Sequence, residues 1–333
     1  MNVSSQAVVF RGAGGVEVIA VEPRAVRSPG PDELRIRVAA AGLNRADVMQ
    51  RRGFYPAPAG VPADVPGLEY AGTVEATGGA VQGWAVGDRV MGIVAGGAMC
   101  EHVVVHAREA LRVPPGLSLE AAAALPEAFL TAWDALVLQG GLRPSGLVLV
   151  HAAGSGVGTA AVQLSRALGA STVGTSRSED KLARCGPLGM DHGILVSREG
   201  EVRFAEAVEQ LAGRRADVII DTVGAGYLAE NVRALAPRGR LVCLGLLAGA
   251  TGELPLALLL GKRARLVGSV LRSRPLEEKI ALAQAFTREV LPLFAAGRLE
   301  PVVGGVWPIA EVAEAHRTME ADALFGKLVL RFG

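Results

Sequence analysis

The run Val148-Leu149-Val150-His151-Ala152-Ala153-Gly154-Ser155-Gly156-Val157-Gly158 joins two kinds of pattern. Its first residues are apolar and mostly β-branched, as in a buried strand. Its last five hold three glycines, and Thr159 to Leu168 then sets Ala161, Leu164 and Leu168 along one helical face. A second short strand, Ser171 to Thr175, follows. Strand, glycine-rich turn, helix and strand make a βαβ unit. A pyrophosphate must approach the backbone closely, side chains at the turn would block it, and the N–H groups that open the helix meet its charge. An ordinary tight turn is served by about one glycine. The loop is therefore expected to cradle a dinucleotide, with Gly154, Ser155, Gly156, Val157 and Gly158 as binding residues.

The end of the second strand bears on which dinucleotide binds. An NAD-binding unit carries an acidic residue about 20 positions past the first glycine, for the ribose 2′-OH. Here Val173-Gly174-Thr175-Ser176-Arg177-Ser178 has no acid at the strand end, and Glu179 and Asp180 suit the first turn of the next helix. Ser176 and Arg177, with Lys181 a turn further on, could hold a 2′-phosphate, so NADPH is the expected cofactor. Further strands are expected at Gly193 to Val196, Val218 to Asp221, Arg240 to Leu244 and Ala264 to Val270, with helical patterns between most of them. Alternating β and α with apolar strands predicts a parallel, doubly wound Rossmann sheet. Asp221, ending one strand, either touches a ribose or caps the turn that follows.

Toward the N-terminus the pattern changes. Ala7 to Phe10 and Val16 to Val21 flank Gly12-Ala13-Gly14-Gly15, which opens no helix and reads as a hairpin turn. Leu34 to Ala40, Tyr70 to Ala76, Arg89 to Ile93 and Glu101 to Val105 continue the β pattern, as in a small barrel-like antiparallel domain. Leu119 to Leu138 reads as a helical pair interrupted at Pro126. A long helix, Glu277 to Ala296, precedes a final strand, Gly326 to Phe332, expected to return to the first domain. The α/β chain is thus read as a β-rich catalytic domain over 1–126 and 271–333 and a Rossmann coenzyme domain over 127–270. The active site is expected in the cleft between them.

Bulk composition limits the alternatives. Half of the 333 residues are hydrophobic and a fifth charged, as in a globular protein of about two domains. With 34 basic and 33 acidic residues, no basic face for nucleic acid is implied. Cys100, Cys185 and Cys243 are odd in number and far apart, which excludes a disulfide framework and suits a reducing cytoplasm. Met1 to Gly15 lacks the pattern of a signal peptide, and the uncharged run from Pro144 to Ser165 is too rich in glycine for a membrane span. His102 and His106 would share a helix face, but Val103-Val104-Val105 between them favours a strand over a metal site.

These pieces resemble the medium-chain dehydrogenase/reductase superfamily, in its zeta-crystallin-type quinone oxidoreductase branch. Gly42-Leu43-Asn44-Arg45-Ala46-Asp47-Val48-Met49-Gln50-Arg51-Arg52-Gly53 is similar to the branch's signature near the active site. Pro66 to Gly72 is similar to its second signature, and Ala153 to Gly158 to its coenzyme loop. Pro126 to Ala132, Leu271 to Arg274 and Gly326 to Leu330 resemble the stress-induced quinone oxidoreductase subgroup. The resemblance implies a GroES-like catalytic domain and a cytoplasmic homodimer paired through the coenzyme domain. It places Asn44, Asp47 and Tyr55 around the nicotinamide and the substrate carbonyl, and adds Thr131, Leu246 and Lys327 to the cofactor contacts. Zinc-dependent relatives hold a Cys where this chain has Asn44 and a His where it has Leu68. An amide and an alkyl group cannot replace thiolate and imidazole on zinc. The expectation is a metal-free NADPH-dependent quinone reductase, with reduction of an enal or enone C=C bond as the alternative. A third reading is an NADPH-binding structural or sensor protein with little turnover.

Overall fold

The computed structural model describes residues 2–197 and 203–333 and divides into two units. One runs to Leu130 and resumes at Leu271; the other is Thr131–Val270. The first crossing falls inside a helix, past the expected 126/127 boundary, because Pro126 opens that helix (Pro126–Trp133) instead of ending one.

The first unit is β-rich and GroES-like. Strand β1 (Val3–Phe10) pairs antiparallel with β2 (Ile19–Val26). Val16–Val18 forms a 3₁₀ turn, so this strand starts later than the valines alone suggest. The larger sheet contains β3 (Glu33–Leu43), β4 (Glu69–Thr77), β5 (Arg89–Ile93), β6 (His102–His106) and β7 (Leu111–Arg112). Its alternation buries Leu34, Ile36 and Val38 against Tyr70, Val74 and Val90 in one core. Helices α1 (Arg45–Arg51) and α2 (Leu119–Ala123) follow β3 and β7, and Pro126–Trp133 is α3.

The second unit has six parallel strands: β8 (Leu147–Val150), β9 (Ser171–Ser176), β10 (His192–Leu195), β11 (Ala216–Asp221), β12 (Leu235–Cys243) and β13 (Arg265–Gly268). Their order is β10-β9-β8-β11-β12-β13, so the chain reverses direction across the sheet between β8 and β11. That is the Rossmann order, and its reversal point is where such sheets bind dinucleotides. Between the strands lie α4 (Gly156–Ala167), α5 (Glu179–Cys185), α6 (Ala205–Ala212), α7 (Leu228–Ala234) and α8 (Leu256–Lys262).

The last stretch, from Leu271 on, belongs to the first unit. The long helix is two, Leu276–Glu289 and Leu291–Ala295, because Pro292 cannot continue the hydrogen-bond ladder. Strand β15 (Lys327–Arg331) pairs with β3 and, in parallel, with β14 (Val303–Pro308). Pro301 and Gly304-Gly305 hid β14 from pattern reading, and its register shifts at those glycines. Among the described residues no helix is long and apolar enough to cross a membrane, and the run 144–165 is strand, loop and helix.

His316, on the helix Val312–Glu320, is fully buried with neither ring nitrogen hydrogen-bonded among the described residues. Burial first, and the nearby Arg51 charge second, push its pKa down to about 3. The unfolded chain then binds the extra proton below its ordinary value of about 6.5, so stability falls as pH drops from there toward 3. His316→Leu removes two unsatisfied nitrogens, each worth roughly 1–3 kcal/mol. Its melting temperature should exceed the parent's by a margin that widens from pH 7 to pH 4.5. Parallel melting curves across that range would refute the assignment.

Candidate active site and coenzyme loop

The coenzyme loop is built by the end of β8. Ala152 takes a left-handed conformation (φ 49°), and the Ser155 Oγ caps α4 by accepting from Gly158 N at 3.0 Å. A Cβ on Gly158 would stand 2.4 Å from Ala152 O and 2.6 Å from Ala153 O, so the backbone closes tightly there. Gly154 faces Lys181, whose Cβ lies 2.9 Å from where a side chain would begin. Gly174 on β9 leaves room for Met190 and Ala153. The loop, helix start and missing side chains form a cradle that fits a dinucleotide pyrophosphate.

Beneath the loop lies a buried polar relay. His151 Nε2 donates to Asn231 Oδ1 at 2.6 Å, and Asn231 Nδ2 donates to Asp221 Oδ2 at 3.0 Å. His151 Nδ1 pairs with Thr175 Oγ1 at 2.9 Å. Burial lowers the His151 pKa, which keeps the ring neutral and consistent with these bonds. The relay ties the ends of β8, β9 and β11 together. Asp221 Oδ1 accepts from Val223 N and Gly224 N at 2.7 and 3.0 Å, so this residue caps its turn. Ser176 is buried and accepts from Ser178 N, while Arg177 is exposed at the end of β9. Thr131 is half-buried on α3, and Leu246 is exposed after β12.

The second constellation lies in the first unit, where β3 passes into α1. Asp47 is buried. Its Oδ2 accepts from Asn44 N at 2.8 Å and its Oδ1 from Gly67 N at 3.0 Å. It thus joins the two signatures and fixes the backbone of Asn44. Burial raises its pKa to about 6, opposed by those two bonds and by the charges of Lys327 and Arg272. Asn44 Nδ2 donates to Glu69 Oε1 at 2.9 Å. Lys327 Nζ lies 2.5 Å from Asn44 Oδ1 and 2.5 Å from Glu69 Oε1. Lys327, expected among the cofactor contacts, also donates to Leu43 O at 3.3 Å.

Glu69 Oε2 accepts from Glu127 N at 2.8 Å. Burial, and then the Glu69 charge, push the Glu127 carboxyl up to about 8. Tyr55 is half-buried with Arg272 against its ring, 4.9 Å from the centroid. Burial raises the Tyr55 pKa, Arg272 opposes this, and Glu127 adds to it. Glu69, Glu127 and Arg272 were not singled out from the sequence. The signal for Glu69 was a carboxylate between Leu68 and Tyr70 at the start of an apolar strand. His102 is held on its strand between Ser5 Oγ at 2.7 Å and Glu75 Oε1 at 3.2 Å.

A Rossmann unit with this loop and a GroES-like unit carrying a buried polar site, in one chain, define a nicotinamide-dependent oxidoreductase. A family model described as zinc-binding dehydrogenase matches residues 156–287, and one described as alcohol dehydrogenase GroES-like domain matches residues 30–115. The chain belongs to the medium-chain dehydrogenase/reductase superfamily, in its zeta-crystallin-like branch. It is 34% identical to a quinone oxidoreductase of Pseudomonas aeruginosa, over 97% of this chain and 98% of that protein. It is 32% identical to the human synaptic vesicle membrane protein VAT-1 homolog, over 97% of this chain and 85% of the relative. Two solved structures divide on the cofactor. An NAD-dependent alcohol dehydrogenase is similar at 35% identity and a TM-score of 0.85, covering 98% and 100% of the two chains. A mycobacterial protein complexed with NADPH is similar at 28% identity and a TM-score of 0.86, covering 98% and 99%.

Proposed function

We propose that this protein is an NADPH-dependent, metal-free quinone reductase. The observation that carries the reading is the placement of the Lys327 ammonium, 2.5 Å from both Asn44 Oδ1 and Glu69 Oε1. A zinc ion would need donors where Asn44 and Leu68 stand, and would meet a fixed positive charge among them. The residues present do not fit the metal that the matched family model names. Without a Lewis acid, oxidation of an alcohol loses its driver, whereas a quinone is electrophilic already. NADPH, when bound, supplies a hydride. Ser176, Arg177 and Lys181 would hold its 2′-phosphate, and the loop 154–158 its pyrophosphate. Hydride addition leaves negative charge on a substrate oxygen, and the Tyr55 hydroxyl would donate to it. Asn44 would line the same site, with Asp47 fixing its backbone. The free thiols Cys100, Cys185 and Cys243 suit a cytoplasmic setting. The exposed leucines Leu256, Leu258 and Leu260 on α8 suit pairing of two copies through the coenzyme unit.

The test is a steady-state panel of quinones and enones with each nicotinamide. Quinones with NADPH should give the highest kcat/KM, and a chelator should leave it intact; one zinc per chain with activity lost on its removal would overturn the reading. Tyr55→Phe keeps the ring and loses one hydrogen bond to a charged oxygen, worth roughly 1.5–3 kcal/mol, so kcat should fall about ten- to a hundredfold. Unaltered turnover on quinones and enones alike would reduce Tyr55 to packing. NADPH should bind at least about tenfold more tightly than NADH, and Arg177→Ala should weaken NADPH alone. Equal losses for both dinucleotides in a binding titration would remove Arg177 from the phosphate site.

A further inference from the structure

Arg272 carries a buried charge whose hydrogen-bond partners, among the described residues, are all neutral. Only 6% of the residue is exposed. Nε donates to Ala95 O at 2.6 Å, Nη2 to Gln50 Oε1 at 2.6 Å and Nη1 to Tyr55 O at 3.2 Å. The guanidinium carbon lies over the Tyr55 ring, 4.9 Å from its centroid. No carboxylate pairs with it among the described residues, although the chain abounds in Arg–carboxylate pairs elsewhere. A cation taken out of water ordinarily finds an opposite charge, because desolvating it alone is costly. Neutral oxygens hold the ion in place without cancelling its charge. A guanidinium also suits an aromatic face better than an ammonium does, being planar and weakly hydrated.

The same contacts fix geometry. Gln50 is on α1, Tyr55 on the turn that leaves it, and Ala95 follows β5, so one side chain ties three segments around the phenol. The charged groups that act on Tyr55 are Arg272 and, opposing it, Glu127 on α3. Those that act on Arg272 are Tyr55, Asp47 and Glu127.

We propose that Arg272 is a positioning residue for Tyr55, pinning the turn that carries it and lending its hydroxyl a positive charge that is not taken up in a direct ion pair. That charge makes the phenol a stronger donor toward the oxygen on which negative charge develops. It matters most for weakly electrophilic conjugated carbonyls, whose oxygen needs the most stabilisation in the transition state. The inference rests on the role given to Tyr55 above, and its test is independent of any substrate.

The chain has three tyrosines, so the phenolate absorbance of the parent minus that of Tyr55→Phe isolates the Tyr55 titration. Arg272→Gln should raise its midpoint by about one unit or more, since an adjacent charge has been removed. Arg272→Lys keeps a charge but loses the guanidinium that lies over the ring, and should raise the midpoint by less; it carries the test if the glutamine variant does not fold. In both, kcat for enones should fall more than kcat for quinones, by about tenfold in Arg272→Gln, with the NADPH dissociation constant unchanged. A Tyr55 midpoint that is the same in the parent and in every folded Arg272 variant would overturn the proposal. Lack of turnover with every quinone and enone would sink the substrate reading, while the titration alone would still decide the coupling of Arg272 to Tyr55.

Discussion

Lys327→Met is expected to lower the melting temperature on the order of 10 °C. Glu69 is fully buried, and its Oε1 faces the Lys327 ammonium at 2.5 Å. Removing one member of a buried pair leaves the other charge uncompensated, at a cost of roughly 3–5 kcal/mol, and a domain of this size loses about 2–4 °C for each kcal/mol. The methionine keeps most of the side-chain volume, so packing contributes little to the loss. Glu69 would retain only the Asn44 amide and the Glu127 N–H. The double variant Lys327→Met/Glu69→Gln removes the stranded charge and should recover most of the stability. That recovery, read by thermal melts, separates electrostatics from packing: a double variant no more stable than Lys327→Met would refute the ion-pair account. Asn44 also loses a partner in Lys327→Met, so kcat should fall as well, and the double variant should not restore it.

The second unit was legible because its signals are local. Apolar strands, a glycine loop and an amphipathic helix succeed one another in β8, α4 and β9, and each is read within a dozen residues. The first unit's site was legible only in part. Asn44 and Asp47 stand three positions apart at one helix start, so their pairing follows from a short motif. Lys327 reaches Asn44 and Glu69 only because β15 pairs antiparallel with β3, bringing Leu328 opposite Leu43. Nothing in the local pattern around Gly326-Lys327 announces a contact with a residue 283 positions earlier. Arg272 was hidden for the same reason, in a chain where arginine is the common cation. Its distinction is that, among the described residues, no carboxylate pairs with it directly, which only the fold reveals. Strand β14 was missed on another ground, since its glycines and prolines argue against a strand when read alone.

Gly158→Ala is expected to weaken NADPH and NADH alike by about a hundredfold, or roughly 2.7 kcal/mol. The new Cβ would meet the carbonyl oxygens of Ala152 and Ala153 at 2.4 and 2.6 Å, contacts no side-chain rotation can relieve. The loop itself has little freedom to retreat. His151 N is bonded to Ile220 O at 3.1 Å and Ala153 N to Thr175 O at 3.0 Å, while the His151 ring is held by Asn231 and Thr175 below. The strain must therefore displace the start of α4, carrying its N–H groups away from where a pyrophosphate would lie. Both dinucleotides share that pyrophosphate, so both should suffer, in contrast to Arg177→Ala, which on the proposed cofactor reading should weaken only the one with a 2′-phosphate. A fluorescence titration of each cofactor, paired with a thermal melt, distinguishes the cases. A loss confined to NADPH would mean that the loop is not the pyrophosphate site. Unchanged affinity for both would mean that α4 accommodates the methyl group, and the close packing at Gly158 would then have no bearing on cofactor binding.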